Sequence, residues 1–435
     1  MTTTIDGTAG ITFPNASVQL VAALPASVVV STRTSNTILA AADNSTLINI
    51  TSGTFSQTFT AAATLGSGWF CYIKNAGTGD ITLDPNSTEL IDGLSTYVMY
   101  PNECRLVQCT GTAFTSVVLS PFFKTITSTQ NFISPPGYSS CGLKMTGGGG
   151  GGGGGRRGAA STLRKGGGAG GSPATIRRSI VNIAAGTSSS VAIGAGGSGG
   201  AAQTTNSTDG NAGSTGGNTT FGTLFTAIGG VGGVGGDGTN NSNTASGSGS
   251  ASAGAAGTST TGGLPSSAQW GGVTIIDNIG EGGGAATASV GGGSTEFGGA
   301  GSGNSAYNTS ATFSAGSSLN GVPGAGGSGC INSANAYGQP SRAGSRKSYT
   351  QGGGAAEGIS QSASTAGANG ADGDFDCGGG GGGGGGASID AAASPGGNGG
   401  LIGGPGGGGG GSTNGFASGA GGNGQSGIAY IWGIA

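Results

Sequence analysis

The chain of 435 residues contains no histidine, which removes Ser-His-Asp and Cys-His catalysis together with imidazole metal ligation. Four groupings are left whose types and spacing could do chemistry. Arg156, Arg157, Arg164, Lys165, Arg177 and Arg178 place six of the 14 basic residues within 23 positions. Their glycine flanks resemble an RGG-type RNA-binding segment. The motif is not repeated, however, and the net charge is −3, so no nucleic-acid partner is expected. Bonds to orphan carbonyls, or pairing between subunits, suit the multi-donor guanidinium better. Tyr307, Phe313, Tyr337, Arg342, Arg346, Lys347 and Tyr349 are of the types most enriched at binding hot spots. They are expected to contact a partner's surface, or else to cap the ends of a glycine-rich bundle as small cores. Asp372, Asp374 and Asp376 are spaced as in a calcium loop, without the bidentate Glu that should follow. Calcium binding therefore competes with a plain exposed acidic loop. Asp84, Glu89 and Asp92 read as solvated turn residues, not as a carboxylate pair. No catalytic residue and no cofactor are expected.

The six cysteines fit no small disulfide framework and no CxxC zinc pair. Buried free thiols are expected. Charged residues make up only 7%, and the polar content is Ser, Thr and Asn. That is the profile of an extracellular structural protein. No basic stretch precedes an apolar core at the N-terminus, so no signal peptide is expected. No apolar run approaches the length of a membrane span.

The elements that must position these groups are made of glycine. Nine consecutive glycines fill positions 147–155, nine more 378–386, and six 406–411. Of the 106 glycines, 95 follow Met145. Such a stretch is usually a flexible linker, yet this one ends in Gly427-Ile428-Ala429-Tyr430-Ile431-Trp432, a strand that needs something to pack against. Left-handed extended helices with three residues per turn and no internal hydrogen bonds offer another use. Without side chains they can lie almost in contact and bond sideways. Only six prolines follow residue 146 and no strict Gly-X-Y period exists, so a collagen triple helix is unsuited. The expected architecture for residues 123–435 is polyglycine-II-type helices packed on a β-platform. Residues 176–183 and 190–193 are expected to form a hairpin of that platform about Ala185-Gly186-Thr187.

Residues 28–122 are different material, rich in β-branched residues. Short strand candidates recur every 8–12 residues between turn signals, which predicts a small antiparallel β-sandwich. Residues 1–27 are too short to fold alone and read as an attachment segment, with Ile5, Ile11 and Phe13 its candidate contacts. The fold class is all-β throughout.

These residues carry a resemblance. Thr60 through Trp69, Ile73-Lys74-Asn75, Ile81 through Asn86 and Ile91-Asp92-Gly93 resemble a module of tailed-bacteriophage tail fibres. Phe132-Ile133-Ser134-Pro135-Pro136-Gly137 before the first glycine run, Gly216 through Phe225, and the closing Gly-Ile-Ala-Tyr-Ile-Trp are similar to the glycine-rich C-terminal domain of phage tail proteins. The resemblance implies a virion fibre or receptor-binding adhesin, often homotrimeric, attached to tail or baseplate proteins through its N-terminus. Its distal loops would touch a host glycan or outer-membrane protein. A purely structural virion component, such as a head fibre or a baseplate decoration, is the alternative. A polysaccharide-cleaving tailspike stands third, because its carboxylates would have to sit about 5–9.5 Å apart and the acidic residues are scattered.

Overall fold

The computed structural model describes residues 28–181, 184–239, 315–347 and 354–434, without the side chains of 178–181. It adds the backbone of the strands Thr4–Asp6, Gly10–Thr12, Val18–Gln19, Ala268–Trp270 and Val273–Ile275. The described chain is all-β, with helix confined to single turns at Ala41–Asp43 and Ala62–Leu65. It divides into two compact units, Met1–Phe122 with Pro135–Gly137, and Phe123–Ser134 with Tyr138–Ala435.

In the first unit one sheet has the spatial order Phe114–Ser120, Cys104–Cys109, Phe70–Asn75, Thr46–Ile50, Val29–Arg33. A second is ordered Phe55–Thr58, Ile81–Asp84, Tyr97–Met99. Period-two burial turns Cys71 and Ile73 inward, to join Ile48, Ile50, Ile81, Leu83, Tyr97 and Met99 in one core fed by both sheets. The pairing is not purely antiparallel, as the turn signals suggest. Val29–Arg33, Thr46–Ile50 and Phe70–Asn75 run parallel, and so do Phe55–Thr58 and Ile81–Asp84. The chain passes through the second sheet, at Phe55–Thr58, between Thr46–Ile50 and Phe70–Asn75, so it re-enters the first sheet in the direction it left; local turn chemistry carries no trace of that. Arg105 and Glu103 form a buried ion pair. Arg105 donates to Glu103 at 2.6 Å and to the Pro136 carbonyl at 2.6 Å, with its guanidinium 4.8 Å from the Tyr97 ring centroid.

In the second unit the glycine runs are ordered by a three-residue period. Gly148, Gly151 and Gly154 donate to the carbonyls of Gly217, Ser214 and Asn211. Gly149, Gly152 and Gly155 donate to Gln425, Gly422 and Gly419, and Gly147, Gly150 and Gly153 to Ala174, Gly171 and Gly168. Each set of every third N–H thus serves one antiparallel neighbour. The carbonyls of the same run accept from Gly197 and Gly200, from Gly230, Gly233 and Gly236, and from Gly406 and Gly409, all in parallel segments. Among the described residues, the run is therefore enclosed by three antiparallel and three parallel neighbours. Residues 378–386 keep the three-residue period with another mix of directions: Gly379, Gly382 and Gly385 donate to Ile402, Pro405 and Gly408 of a parallel segment, while Gly380, Gly383 and Gly386 donate to Ala371, Ala368 and Thr365 of an antiparallel one.

This enclosure explains why the runs are uninterrupted. A methyl group on Gly147 would lie 2.5 Å from the Ile228 carbonyl oxygen, and one on Gly151 would overlap the Ser198 carbonyl outright. Rows with one open side drop glycine there: Ala195, Ser198 and Ala201 are exposed between buried Gly194, Gly197 and Gly200. Val231 and Val234 take the same outward position, 39% and 40% exposed. The edge row 365–373 keeps glycine only at Gly367, Gly370 and Gly373. Glycine spacing therefore records how many sides of a segment are covered. Each net hydrogen bond contributes about 1 kcal/mol, which offsets the roughly 0.5–1 kcal/mol that ordering a glycine costs over an alanine.

The array is entered from a sheet ordered Phe123–Ile126, Ile428–Ile434, Ser140–Thr146, Thr175–Val181. Thr175–Val181 does not make the hairpin suggested by its turn residues. Ser188–Ala192 belongs to another sheet, between Gln130–Ile133 and Thr219–Phe221. Both strands find longer-range partners, and Ser140–Thr146 pairs with Thr175–Val181 along its whole length. Trp432 lies over Gly142, where a side chain would collide with its ring. Gly151→Ala is expected to destabilise the protein by about 3 kcal/mol or more, whereas Ser198→Ala on the open side should stay within about 0.5 kcal/mol. Thermal unfolding of both variants checks this, and equal effects would contradict the enclosed arrangement.

Candidate functional site

Because the enclosed glycine runs carry no side chains and those buried beside them are small, such as Ser172, Ser328 and Ala325, the charged and aromatic groups gather at the two ends of the array. At the end reached by residue 156, four of the basic residues come together. Arg156 pairs with Asp209, and Arg157 donates to the Thr204 carbonyl. Arg164 is fully buried and donates to Thr413 Oγ1 at 2.8 Å, to the Asn332 carbonyl at 3.3 Å and to Asn335 Oδ1 at 2.5 Å. Lys165, also buried, meets Asp237 at 3.1 Å. Burial opposes the charge of Asp237, but the Thr239 N–H and Lys165 outweigh it and hold its pKa below the ordinary carboxylate value. Arg177 is not part of this group: it stands exposed on the sheet at the other end. The side chain of Arg178 lies outside the described residues.

The loops at this end are Ser-, Thr- and Asn-rich and are bonded to one another. Ser207 N–H donates to Asn414 Oδ1 at 2.8 Å, Gly415 N–H to Asn206 Oδ1 at 3.1 Å, and Ser161 N–H to Asn335 Oδ1 at 3.1 Å. Phe416 stands beside them, 37% exposed. Tyr337 is half-buried and its hydroxyl accepts the Ile389 N–H at 3.3 Å.

At the sheet end, Arg346 and Lys347 meet the acidic loop. Lys347 Nζ lies 2.9 Å from Asp374 and 3.8 Å from Asp376, and Arg346 lies 3.4 Å from Asp374 while donating to the Gly378 carbonyl at 2.9 Å. Burial opposes ionisation of Asp374, but the Lys347 ammonium, the Cys377 N–H and the Arg346 charge prevail and lower its pKa to about 2. The three aspartates do not converge as a calcium loop. Asp374 Oδ1 accepts the N–H groups of Asp376 and Cys377, and Asp372 Oδ1 accepts that of Leu401. Among the described residues no group of three or more carboxylates and thiols is placed to hold a metal ion.

Phe375 of that loop packs edge-on against Tyr430 and Trp432, with centroids 5.2 and 5.6 Å away, and against Phe123 at 5.4 Å. Phe123, Trp432 and Phe375 remain half-exposed. Lys144 runs beneath them. Its ammonium donates to the carbonyls of Phe375 and Asp376 and lies 5.4 Å from the Phe375 centroid. Burial drives the pKa of Lys144 down to about 8, with Arg177 adding to the fall and the acidic loop opposing it. Residue typing missed this centre. Lys144 is embedded in the apolar run Cys141 to Met145, and its aromatic neighbours come from positions 123, 375, 430 and 432, which no local spacing connects.

Other expectations are scattered. Arg342 pairs with Glu357 at 2.9 Å, apart from the acidic loop. Tyr307, Phe313 and Tyr349 lie outside the described residues, as does Phe13. Ile5 and Ile11 are partners in the register of two short strands, and their side chains are not described. Glu89 accepts the Ala62 N–H at 2.9 Å and Asp92 accepts the Ser116 N–H at 2.7 Å, so both are loop fasteners. All six cysteines are free, five of them buried; burial raises the Cys330 thiol to about 12. Among the described residues no helix is long and apolar enough to cross a membrane.

No family model matches the chain, and no curated protein is detectably similar to it.

Lys144 gives a pH signature. Its folded pKa, about 8, lies below the ordinary lysine value of about 10.4. Between those values the unfolded chain binds more protons, so stability should rise with pH there and level off above. Calorimetry from pH 7 to about 11 should show that rise in the wild type and its loss in Lys144→Met.

Proposed function

We propose that this chain is a virion tail fibre protein of a tailed bacteriophage, structural and receptor-binding, in which a bundle of polyglycine-II-type helices holds host-contacting loops in fixed positions. The observation that carries the reading is the enclosure of residues 147–155 on every side by hydrogen-bonded glycine-rich segments in a three-residue register. That period belongs to the left-handed extended helix, and a block bonded in this way cannot act as a flexible linker. The two sheets of the first unit share one core, which supports a small sandwich with mixed pairing. On this reading the N-terminal segment docks on tail or baseplate proteins, the fibre is a homo-oligomer, often a trimer in the proteins it resembles, and the receptor is a glycan or an outer-membrane protein. The resemblance of residues 60–93 and 132–155 to phage tail proteins gives the reading its biological setting.

The loops at the end remote from the sheet are the favoured contact, with Asn206, Asn335, Asn414 and Phe416 replacing most of the residues singled out by type. Loops on rigid scaffolds are where binding residues concentrate. One observation favours the alternative, a purely structural virion component. Arg156, Arg157, Arg164, Arg342, Arg346 and Lys347 are all engaged within the chain, which leaves few charged side chains idle for a receptor.

The purified chain should bind cells of strains that the parent particle adsorbs to. Replacing residues 205–208 and 413–416 by Gly-Ser should abolish binding, while amide protection at 147–155 persists. Intact protection with no binding by the wild type would favour the structural alternative. Free-peptide exchange through 147–155 would remove both readings.

A further inference from the structure

The backbone bonds of the second unit set four rows side by side. Gly421 and Gly424 donate to the carbonyls of Gly200 and Gly197, Gly396 and Gly399 to those of Ala420 and Asn423, and Gly367 and Gly370 to those of Pro395 and Asn398. Residues 194–202, 418–427, 394–402 and 365–373 thus form one layer. It rests on the glycine runs, since Gly197 donates to Gly149, Gly422 to Gly407 and Gly397 to Gly383. In the row 394–402, the N–H groups of 394, 397 and 400 serve the run beneath and those of 396 and 399 the row beside it. Pro395, Asn398 and Leu401 are left, facing away from both. Pro395 has no N–H, and the other two donate to side chains: Asn398 N–H to Asn369 Oδ1 at 2.8 Å, and Leu401 N–H to Asp372 Oδ1 at 2.9 Å. The next rows repeat this. Asn423 N–H donates to Asn398 Oδ1 and Gly199 N–H to Asn423 Oδ1, both at 2.8 Å. Each junction between neighbouring rows is therefore crossed by one carboxamide. At the edge of the array, Asn218 Oδ1 and Thr215 Oγ1 take the N–H groups of Gly229 and Gly232 in the same way, at 2.9 and 3.3 Å.

We infer that Asn369, Asp372, Asn398 and Asn423 are lateral caps that end the glycine lattice: they take the place of a further row and bar a glycine-rich segment of another copy from docking on this layer. Inside the array, a free N–H at every third position is what each neighbouring row bonds to. A layer that left such donors open would be a template for the next row, as an unpaired sheet edge is for another strand. Satisfying the donors does not by itself call for asparagine, because water can serve an exposed N–H. A carboxamide laid across the junction does more. It fills the position in which a further row would have to nest, and rows in contact leave no space even for a methyl group. Proline at 395 removes the donor altogether, the device found on exposed sheet edges. The inference concerns the block alone and holds whether or not the chain binds a receptor.

Amide exchange and sedimentation of the full chain test it together. In the fourfold variant Asn369→Gly, Asp372→Gly, Asn398→Gly and Asn423→Gly, the amides at 199, 398, 401 and 423 should exchange about fivefold faster or more, the factor that one net hydrogen bond confers. The same variant should sediment as species larger than the wild type at up to about 100 µM, a range that captures weak specific interfaces. The control is Ala366→Gly, Ala420→Gly and Ser426→Gly. Those residues stand three positions from a cap in the same rows, so removing them should leave the size unchanged. A variant that exchanges faster yet keeps the wild-type size overturns the inference. So does unchanged exchange at the four amides, or a control that associates as strongly. Should the fourfold variant fail to fold, Asn398→Gly with Asn423→Gly clears two junctions and decides the matter by the same two readouts.

Discussion

A backbone without side chains must satisfy its own hydrogen bonds or give them to water, and the second unit depends on how that demand is met. Once the segments settle into a three-residue period, successive N–H groups point in three directions about the axis and reach three neighbours. The carbonyls reach three more. No strand in a sheet bonds in so many directions, because its donors lie in one plane. The close approach that makes the bonds possible also forbids any side chain on the enclosed runs, so the uninterrupted glycine runs and the dense bonding are one fact seen twice.

This bonding fixes where chemistry can reside. Segments of matched length turn back only at the two ends, and each turn leaves carbonyls that the array cannot serve. Cations meet that need repeatedly: Arg157 at Thr204, Arg164 at Asn332, Arg346 at Gly378 and Lys144 at Phe375 and Asp376. A guanidinium reaches several acceptors at once. Lysine is a point charge, and its burial costs more, which the depressed pKa of Lys144 registers. The same economy appears in the first unit, where Arg105 closes on the Pro136 carbonyl.

Much of this was legible from residue order, and the reason is periodicity. Phe70–Asn75 is a strand whose alternate residues Cys71 and Ile73 are buried, and the glycine runs mark the enclosed segments. What stayed hidden depends on contacts far apart in the chain. The parallel pairing of Thr46–Ile50 with Phe70–Asn75 has an intervening strand, Phe55–Thr58, in another sheet. The turn at Ala185-Gly186-Thr187 is genuine, yet its two strands join different sheets. Arg177 and Arg178 are near Arg164 in sequence, but the chain crosses the array from one end to the other between them. A cluster drawn by sequence distance therefore splits in space. Lys144 was invisible for the opposite reason, since its neighbours come from positions as distant as 123, 375 and 430.

The two ends of the array differ in kind, and that difference bears on where binding specificity would reside. Both ends bury a lysine and pair charges, but the sheet end adds aromatic packing, so a substitution at Phe375 or Trp432 would disturb several contacts at once. Outside the buried Arg164 and Lys165, the remote end is fastened by short polar bonds between loops, such as Ser207 to Asn414 and Gly415 to Asn206. Each of these is worth about 1 kcal/mol, and the enclosed glycines beneath do not depend on any one of them. Loop sequence can therefore change there at small energetic cost while the block keeps its height and register. On the proposed reading, an adhesin following a changing receptor would need that separation between a frame that tolerates few substitutions and an end that tolerates many.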